Sequence, residues 1–389
     1  MSGAVLRLKR GRDRARSHPW IFKGDVADVT GAAPGSVVTV VDSRAQFVGR
    51  GHYNPRPALC CRIITRVDEP LDGKVFHRRI QSARDRRAGA DAAGWVGRLV
   101  WSEADGLPGL TVDRYASALV VQCSTLGMVR ARDEIVEALA AVVGDLPVFG
   151  WDDPVAGSLE GFEPARDWLG APGPPALIVD EGAARFEIVF GAGHKTGLYL
   201  DQAENRRRVG LLGRDRAVLD VFAYTAGFAC HALAAGARRA ICIESGTDAV
   251  RIARRNLDLN AAAGRAEIRA VNAFDELRDL ERQRARFGVI VLDPPPFARS
   301  RTAVEAATRG YKEINLRAMR LLEPGGHLAT FSCSHHVSEA LFEEVCRAAA
   351  VDAGVTLRVR DRLTQSADHP VLLTVPETRY LKGLLLEAE

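Results

Sequence analysis

The sequence predicts an α/β protein. A doubly wound, Rossmann-like domain fills the C-terminal half, preceded by a small β-barrel and an α+β segment. Three observations carry this. From about residue 191, near-continuous apolar strands alternate with helical stretches. Before residue 70, short β-like runs are separated by Gly, Pro and Asn turns. The strands of the C-terminal half also end, one after another, in acidic or polar residues.

Residues 1–70 supply "GSVVTVVDS", "FVGRGHYN" and "ALCCRIIT", short strands with turn chemistry between them. Residues 71–190 open on a helix, "GKVFHRRIQSARDRRAGA". "GRLVWSEADGLPGLTVDRY" and "ALVVQCS" then suggest a hairpin, and "MVRARDEIVEALAAVV" a second helix. "EPARDWLGAPGPP" reads as a loop and "ALIVDEGAARFEIVF" as another hairpin.

In residues 191–389 the strands are "RAVLDVFAY", "RRAICIES", "AEIRAVNA", "FGVIVLD" and "HLATFSCS". The helices are "GFACHALAAG", "TDAVRIARRNLDLNAAAG", "FDELRDLERQRA", a helix within "TRGYKEINLRAMRLLEPGG" that stops at Pro-Gly-Gly, and "SEALFEEVCRAAAVDAG". Apolar runs of this kind are buried on both faces, so the expected sheet is parallel.

At 389 residues the chain is long enough for two or three domains. Its composition is that of a globular protein, 47% hydrophobic and 26% charged. A net charge of +4 means that any attraction to nucleic acid must be local. No apolar run is long enough to span a membrane, and the N-terminus lacks a secretory pattern. Seven cysteines without C-x-x-C spacing point to a reducing cytoplasm and no structural metal.

Ligands of such sheets bind beyond the carboxyl ends of the strands. Those ends carry Asp220 with "VFAYTAGF", Glu244-Ser245, "NAFD" with Asn272, Ala273 and Phe274, "DPPPF" from Asp293 to Phe297, and "SCSHH" with Cys333. An acid closing the second strand suits a ribose, because one carboxylate accepts from both hydroxyls. The first turn has one central glycine, Gly227, and no G-x-G-x-x-G, so the pyrophosphate cradle of a dinucleotide site is missing. A nucleoside cofactor without pyrophosphate, S-adenosylmethionine, fits better than NAD.

The motifs "RSHPWIFKGDVADV", "LVWSEADGLPGLTVDRY", "GHKTGLYLDQAENRR", "VLDVFAYTAGFACHAL", "VLDPPPFARS", "RGYKEINLRAM", "FSCSHH" and "DHPVLLTVPETRYLKG" follow one another in order. In this the chain resembles the bacterial 23S ribosomal RNA cytosine-5 methyltransferases, class I enzymes dependent on S-adenosylmethionine with an N-terminal PUA domain. The resemblance implies a PUA-like RNA-binding barrel over 1–70, a central domain over 71–190 and a methyltransferase domain over 191–389. It implies S-adenosylmethionine at Phe222, Tyr224, Gly227, Phe228, Glu244, Asn272 and Phe274, with Lys195, Thr196, Gln202 and Asn205 closing over the methionine end. Its partner is 23S rRNA, in the cytoplasm and without a membrane; monomer or homodimer stays open.

C5 of cytosine is a poor nucleophile. A thiolate added at C6 makes it reactive, and Cys333 is placed for that role. Asp293 is expected to contact N3 as the ring gains charge. The Pro294–Pro296 run holds an extended turn whose carbonyls face the exocyclic amine, with Phe297 covering the base. Many relatives carry a second cysteine after the Pro pair; Pro296 stands there instead, so product release falls to another group.

RNA contact is expected from "RLKRGRDRARSHPW", which holds six basic residues and one acid before His18. Its candidates are Arg7, Lys9, Arg10, Arg12, His18 and Trp20, with a second basic run in "HRRIQSARDRR". Two other readings stay open at this level. One is a methyltransferase acting on an exocyclic amine, which also uses an acid-Pro-Pro-aromatic turn. The other is an inactive RNA-binding assembly factor.

Overall fold

A computed structural model describes residues 3–11, 15, 17–191, 197–260, 264–298 and 300–389. Arg12, Lys195 and Thr196 lie outside the described residues. The chain divides into two compact units, one of Met1–Leu177, Val189–Gly197 and Ala367–Thr378, the other of Ile178–Ile188, Leu198–Ser366 and Arg379–Glu389.

In the first unit the described strands form two sheets. The six-stranded one runs in the order Trp20–Phe22, Leu59–Thr65, Phe47–Tyr53, Val37–Val41, Val5–Leu8, Val26–Thr30. The period-two alternation of "LRLK" buries Leu6 and Leu8 and turns Arg7 and Lys9 to solvent. Leu6, Leu8, Ile21, Val38, Val40 and Ile63 make its core. Gly51 is required by close approach, since a Cβ there would stand 2.0 Å from the Arg62 carbonyl oxygen.

The five-stranded sheet runs Arg166–Leu169, Val148–Trp151, Ala118–Cys123, Leu110–Tyr115, Val96–Trp101. Its core includes Phe76 and Ile80 of helix Gly73–Asp85 and Ile135 and Leu139 of helix Arg132–Val143. Two of its strands differ from expectation. "VFGW" was not anticipated, and "RDWL" lies within the stretch expected to be loop. "RDWL" is an outer strand with none of its residues fully buried, bounded by Pro and Gly, so it has none of the apolar pattern that marks a buried strand.

The second unit is the doubly wound domain. Besides a two-stranded hairpin that lies mostly within it (Ala176–Glu181 and Ala184–Val189), its described α-helices and main-sheet strands, in chain order, are α1 (Ala203–Leu211), β1 (Ala217–Val221), α2 (Gly227–Ala234), β2 (Arg239–Ile243), α3 (Thr247–Leu259), β3 (Ala266–Arg269), α4 (Ala273–Arg282), β4 (Phe287–Leu292), α5 (Val304–Arg320), β5 (Leu322–Ser332), α6 (Glu339–Ala353), β6 (Leu357–Leu363) and β7 (Lys382–Ala388). The sheet order is β3-β2-β1-β4-β5-β7-β6. β1 to β5 are parallel, as expected; β7 runs antiparallel to both β5 and β6. The sheet is therefore mixed. β6, "LRVRDRL", escaped sequence reading because it is an edge strand with charge along its exposed face. α5 stops at Arg320, and β5 takes in the Pro-Gly-Gly expected to end the helix.

Local chemistry sets the ends. Asn272 caps α4, accepting from the N–H of Phe274 at 2.9 Å. Ser338 caps α6, and Gly354 ends it in left-handed conformation. Leu219, Val221, Ile290, Leu292 and Leu328 are buried between the helix layers. The polar residues that follow these strands gather at one edge of the sheet.

Candidate active site

The turn after β1 is the most unusual backbone in the second unit. Phe222, Tyr224 and Ala226 all have positive φ, at 62°, 49° and 62°. Non-glycine residues rarely hold this geometry, and alternate ones in one turn store strain. Three hydrogen bonds with residues outside the turn are among the contacts that hold it. The Tyr224 N–H donates to Glu244 Oε2 at 2.9 Å. The Ala223 N–H donates to the Ile243 carbonyl at 3.0 Å. Buried Asn256 donates to the Thr225 carbonyl at 2.9 Å. Gly227 is not used for its conformational freedom. A Cβ there would meet Arg206 Cδ at 2.6 Å, and Arg206 is fixed in place.

Arg206 is fixed by Glu181, which accepts two bonds from its guanidinium at 2.8 and 2.6 Å, with His231 Nε2 2.9 Å from the same carboxylate. Burial pushes the Glu181 carboxyl up, but the Arg206 charge and the His231 contact outweigh it and hold the group down at about 2. Arg206 also donates to the Tyr199 carbonyl at 2.8 Å. This cluster was not visible in the sequence, because its members stand 25 residues or more apart with no motif linking them.

The sequence-expected residues at the first three strand ends do different things. Glu244 is half-buried, and each of its oxygens accepts one backbone N–H, from Tyr224 and from Gly246. A carboxylate oxygen has two lone pairs, so the site still fits a ribose diol. Ser245 is exposed beside it. Asp220 is 1% exposed and lies beneath the turn, where it accepts the Ala229 N–H of α2 at 3.0 Å. Burial first, and then the Asp293 and Glu244 charges, raise its carboxyl to about 7. Asn272 uses its side-chain oxygen to cap α4, Ala273 is buried, and Phe228 packs on Phe331 with ring centroids 5.7 Å apart.

Phe297 joins Phe222, Phe274 and Tyr311, its ring centroid 6.2, 6.0 and 4.7 Å from theirs. Its ring belongs to a half-buried aromatic wall shared with the turn after β1, a surface suited to an adenine.

Beyond β4 and β5 lie the groups expected to do chemistry. Gln202 donates to Asp293 Oδ2 at 3.0 Å. Its own oxygen accepts from Asn205 at 2.6 Å, and Asn205 also donates to the Thr364 carbonyl at 2.9 Å. This buried amide relay fixes which end of Gln202 faces Asp293, and so presents Asp293 with a donor. Gln202 was expected at the methionine end of the cofactor; it is found holding Asp293.

Cys333 follows β5. Ser332 and Ser334 on either side are fully buried, and both share hydrogen bonds of 3.0 Å with the Tyr311 hydroxyl. Cys333 itself is half-exposed, with Sγ 3.8 Å from the Pro294 carbonyl. The other cysteines, Cys60, Cys61, Cys123, Cys230, Cys242 and Cys346, are buried, and burial raises their thiols. His335 is exposed near Tyr380, whose hydroxyl donates to Asp201 at 2.6 Å.

In the first unit the basic candidates separate. Arg7, Lys9 and Arg10 are exposed. His18 is 2% exposed, with one ring nitrogen accepting the Trp20 N–H at 3.1 Å and the other 3.1 Å from Glu377. His18 is thus a buried structural histidine and not an RNA contact. Trp20 is half-buried and spends its indole N–H on Glu103 at 2.8 Å. In the second basic run, Arg78, Arg84, Arg86 and Arg87 all donate to protein acceptors, Arg87 and Arg86 sharing the buried Asp105.

Residues 162–386 match the family model described as S-adenosylmethionine-dependent methyltransferase, and residues 5–66 match that of a PUA-like domain. A ribosomal RNA large subunit methyltransferase I from Klebsiella pneumoniae is 37% identical over 390 residues, covering 97% of this chain and 96% of the relative. One from Pseudoalteromonas atlantica is 38% identical over 392 residues, covering 99% of each. Among solved structures, a Streptococcus mutans protein assigned as a SAM-dependent methyltransferase superposes with a TM-score of 0.83 at 17% identity, covering 98% of this chain and 99% of that one. On the extent of these matches, which agree with a doubly wound domain behind an N-terminal PUA-like sheet, the chain belongs to the family of S-adenosylmethionine-dependent ribosomal RNA large subunit methyltransferases.

Proposed function

We propose that this enzyme methylates C5 of a cytidine in 23S ribosomal RNA through a transient bond between Cys333 and C6. The observation that carries the reading is the exposure of Cys333 between two buried serines, at a strand end next to the turn that carries Asp293. S-adenosylmethionine, when bound, supplies an electrophilic methyl group. Glu244 suits its ribose, and Phe222, Phe274 and Phe297 suit its adenine. The Cys333 thiolate adds to C6, and the ring electrons move toward C5 and N3. Asp293, steadied by Gln202, contacts N3 as charge builds there. After C5 takes the methyl, a base removes the C5 proton and the thiolate leaves C6. The working division is an RNA-binding part over 1–70, a central part over 71–190 and a catalytic part over 191–389. Arg7, Lys9, Arg10 and Arg12 attract the phosphates.

The test is a trap. With 5-fluorocytidine at the target position, elimination stalls because fluorine does not leave as a proton does, and enzyme and RNA stay covalently joined. Cys333→Ala should abolish both adduct and turnover while S-adenosylmethionine still binds. A Cys333→Ala enzyme that methylates at near the parent rate would overturn the C5 mechanism. It would favour attack by an exocyclic amine, whose lone pair needs no thiol.

A further inference from the structure

Lys382 is the first residue of β7, and the antiparallel ladder pairs it with Ser332, the residue before Cys333. Its ammonium donates to the carbonyl of Ser334, the residue after Cys333, at 2.7 Å. Lys382 is half-buried, so its charge is only partly screened by water. Burial pulls its ammonium down from the ordinary lysine value, while Cys333 and Glu339 pull the other way.

Other titratable groups also lie about the thiol. Tyr199 feels Cys333, Asp293 and Asp201, and Tyr311 feels Cys333 from beneath. These are acids, which oppose a thiolate when ionised. His335 is exposed and lies near Tyr380. Arg379 is held by Glu339 at 2.8 Å. The thiol points at the Pro294 carbonyl, which accepts from S–H but repels S⁻. Among the described residues, Lys382 is a cation fastened to the backbone that carries Cys333.

We infer that Lys382 is a positioning residue that activates Cys333, its ammonium holding the thiol in the nucleophilic, ionised form. This rests on the reading of Cys333 as the nucleophile. A nearby cation lowers a thiol's pKa and raises its reactive fraction at neutral pH.

The experiment follows alkylation of Cys333 by iodoacetamide in the full-length enzyme, from pH 6 to 10, with the modified peptide quantified by mass spectrometry. The thiolate displaces iodide, so the rate reports ionisation without RNA or cofactor. Lys382→Met should displace the profile upward by about one pH unit. A tenfold drop in thiolate is partly offset by the greater nucleophilicity of a more basic sulfur, leaving the variant about threefold slower at pH 7. Above the displaced midpoint it should become the faster of the two. Lys382→Arg should keep the parent profile. A merely structural role does not produce crossing curves. Superimposed profiles, or a uniform loss at every pH, would overturn the inference while leaving the fluorocytidine trap free to succeed or fail by itself.

Discussion

Asp220 and Glu244 end neighbouring strands, yet the structure gives them opposite settings. Glu244 is half-buried and shared between two backbone donors, whereas Asp220 is sealed under the turn, where it accepts the Ala229 N–H at 3.0 Å. As acids at strand ends, both are expected among the cofactor's ligands from the sequence; nothing local distinguishes the one that faces the crevice from the one that supports the helix. Burial raises the Asp220 carboxyl from 3.8 to about 7. The sign follows from linkage. A carboxyl whose folded pKa is raised costs stability progressively as pH rises from about 4 to 7, because the folded state resists losing the proton. Asp220→Asn keeps an oxygen for the Ala229 N–H and cannot ionise. It should therefore be more stable than the parent at pH 8, by roughly 4 kcal/mol at the upper bound, and nearly equal to it at pH 4. Urea denaturation at the two pH values decides; a gap of the same size at both would show that Asp220 ionises without strain.

The hairpin Ala176–Glu181 and Ala184–Val189 is an element whose work the sequence concealed. It reads as an ordinary pair of strands, and its two-stranded sheet leaves an unpaired edge. Asn256 and Asn260 satisfy that edge. Asn260 accepts the Arg185 N–H and donates to the Arg185 carbonyl, and Asn256 accepts the Glu187 N–H. The hairpin also delivers Glu181 to Arg206, whose side chain lies where a Cβ on residue 227 would stand. The strands β1 to β5 were legible because apolar runs between helical periods are a local signal. This tie was not, since it joins a hairpin, α1 and α2 through side chains that have no common period. Glu181→Gln should destabilise the enzyme by roughly 3–5 kcal/mol near neutral pH by leaving a buried guanidinium unpaired. Since the folded Glu181 carboxyl is depressed to about 2, its contribution is present above about 4.5 and lost as pH falls toward 2. Denaturation of parent and variant across pH 7 to 3 should show the gap closing toward the acid end. A gap that stays constant would mean that the carboxylate is not what Arg206 depends on.

For the whole molecule the question is how a chain with a net charge of only +4 attracts a polyanion. Long-range attraction depends on where charge is unspent. The second basic run looks as promising as the first in sequence, but four of its arginines bind carboxylates or carbonyls of their own unit. Arginine counts do not reveal this, because the acceptors, such as Asp105 and the Val142 carbonyl, come from distant parts of the chain. The same holds for His18, whose partner Glu377 lies 359 residues away in the chain. Among the described residues whose charge stays exposed at the N-terminal sheet are Arg7 and Lys9, which alternation turns outward on the strand Val5–Leu8 and its continuation, and Arg10, which follows. Lys9 reaches the Gly24 carbonyl at 3.0 Å but keeps its charge exposed. These positions carry little folding energy, so reversing them tests attraction and not stability. Arg7→Glu, Lys9→Glu and Arg10→Glu together should leave the melting temperature and S-adenosylmethionine affinity near those of the parent. RNA affinity should fall, and its log–log dependence on salt should flatten by roughly 0.7 for each single-strand phosphate that is no longer neutralised. Binding titrations at several salt concentrations supply the slope. An unchanged slope would mean that these side chains form only a solvated face and do not neutralise RNA phosphates.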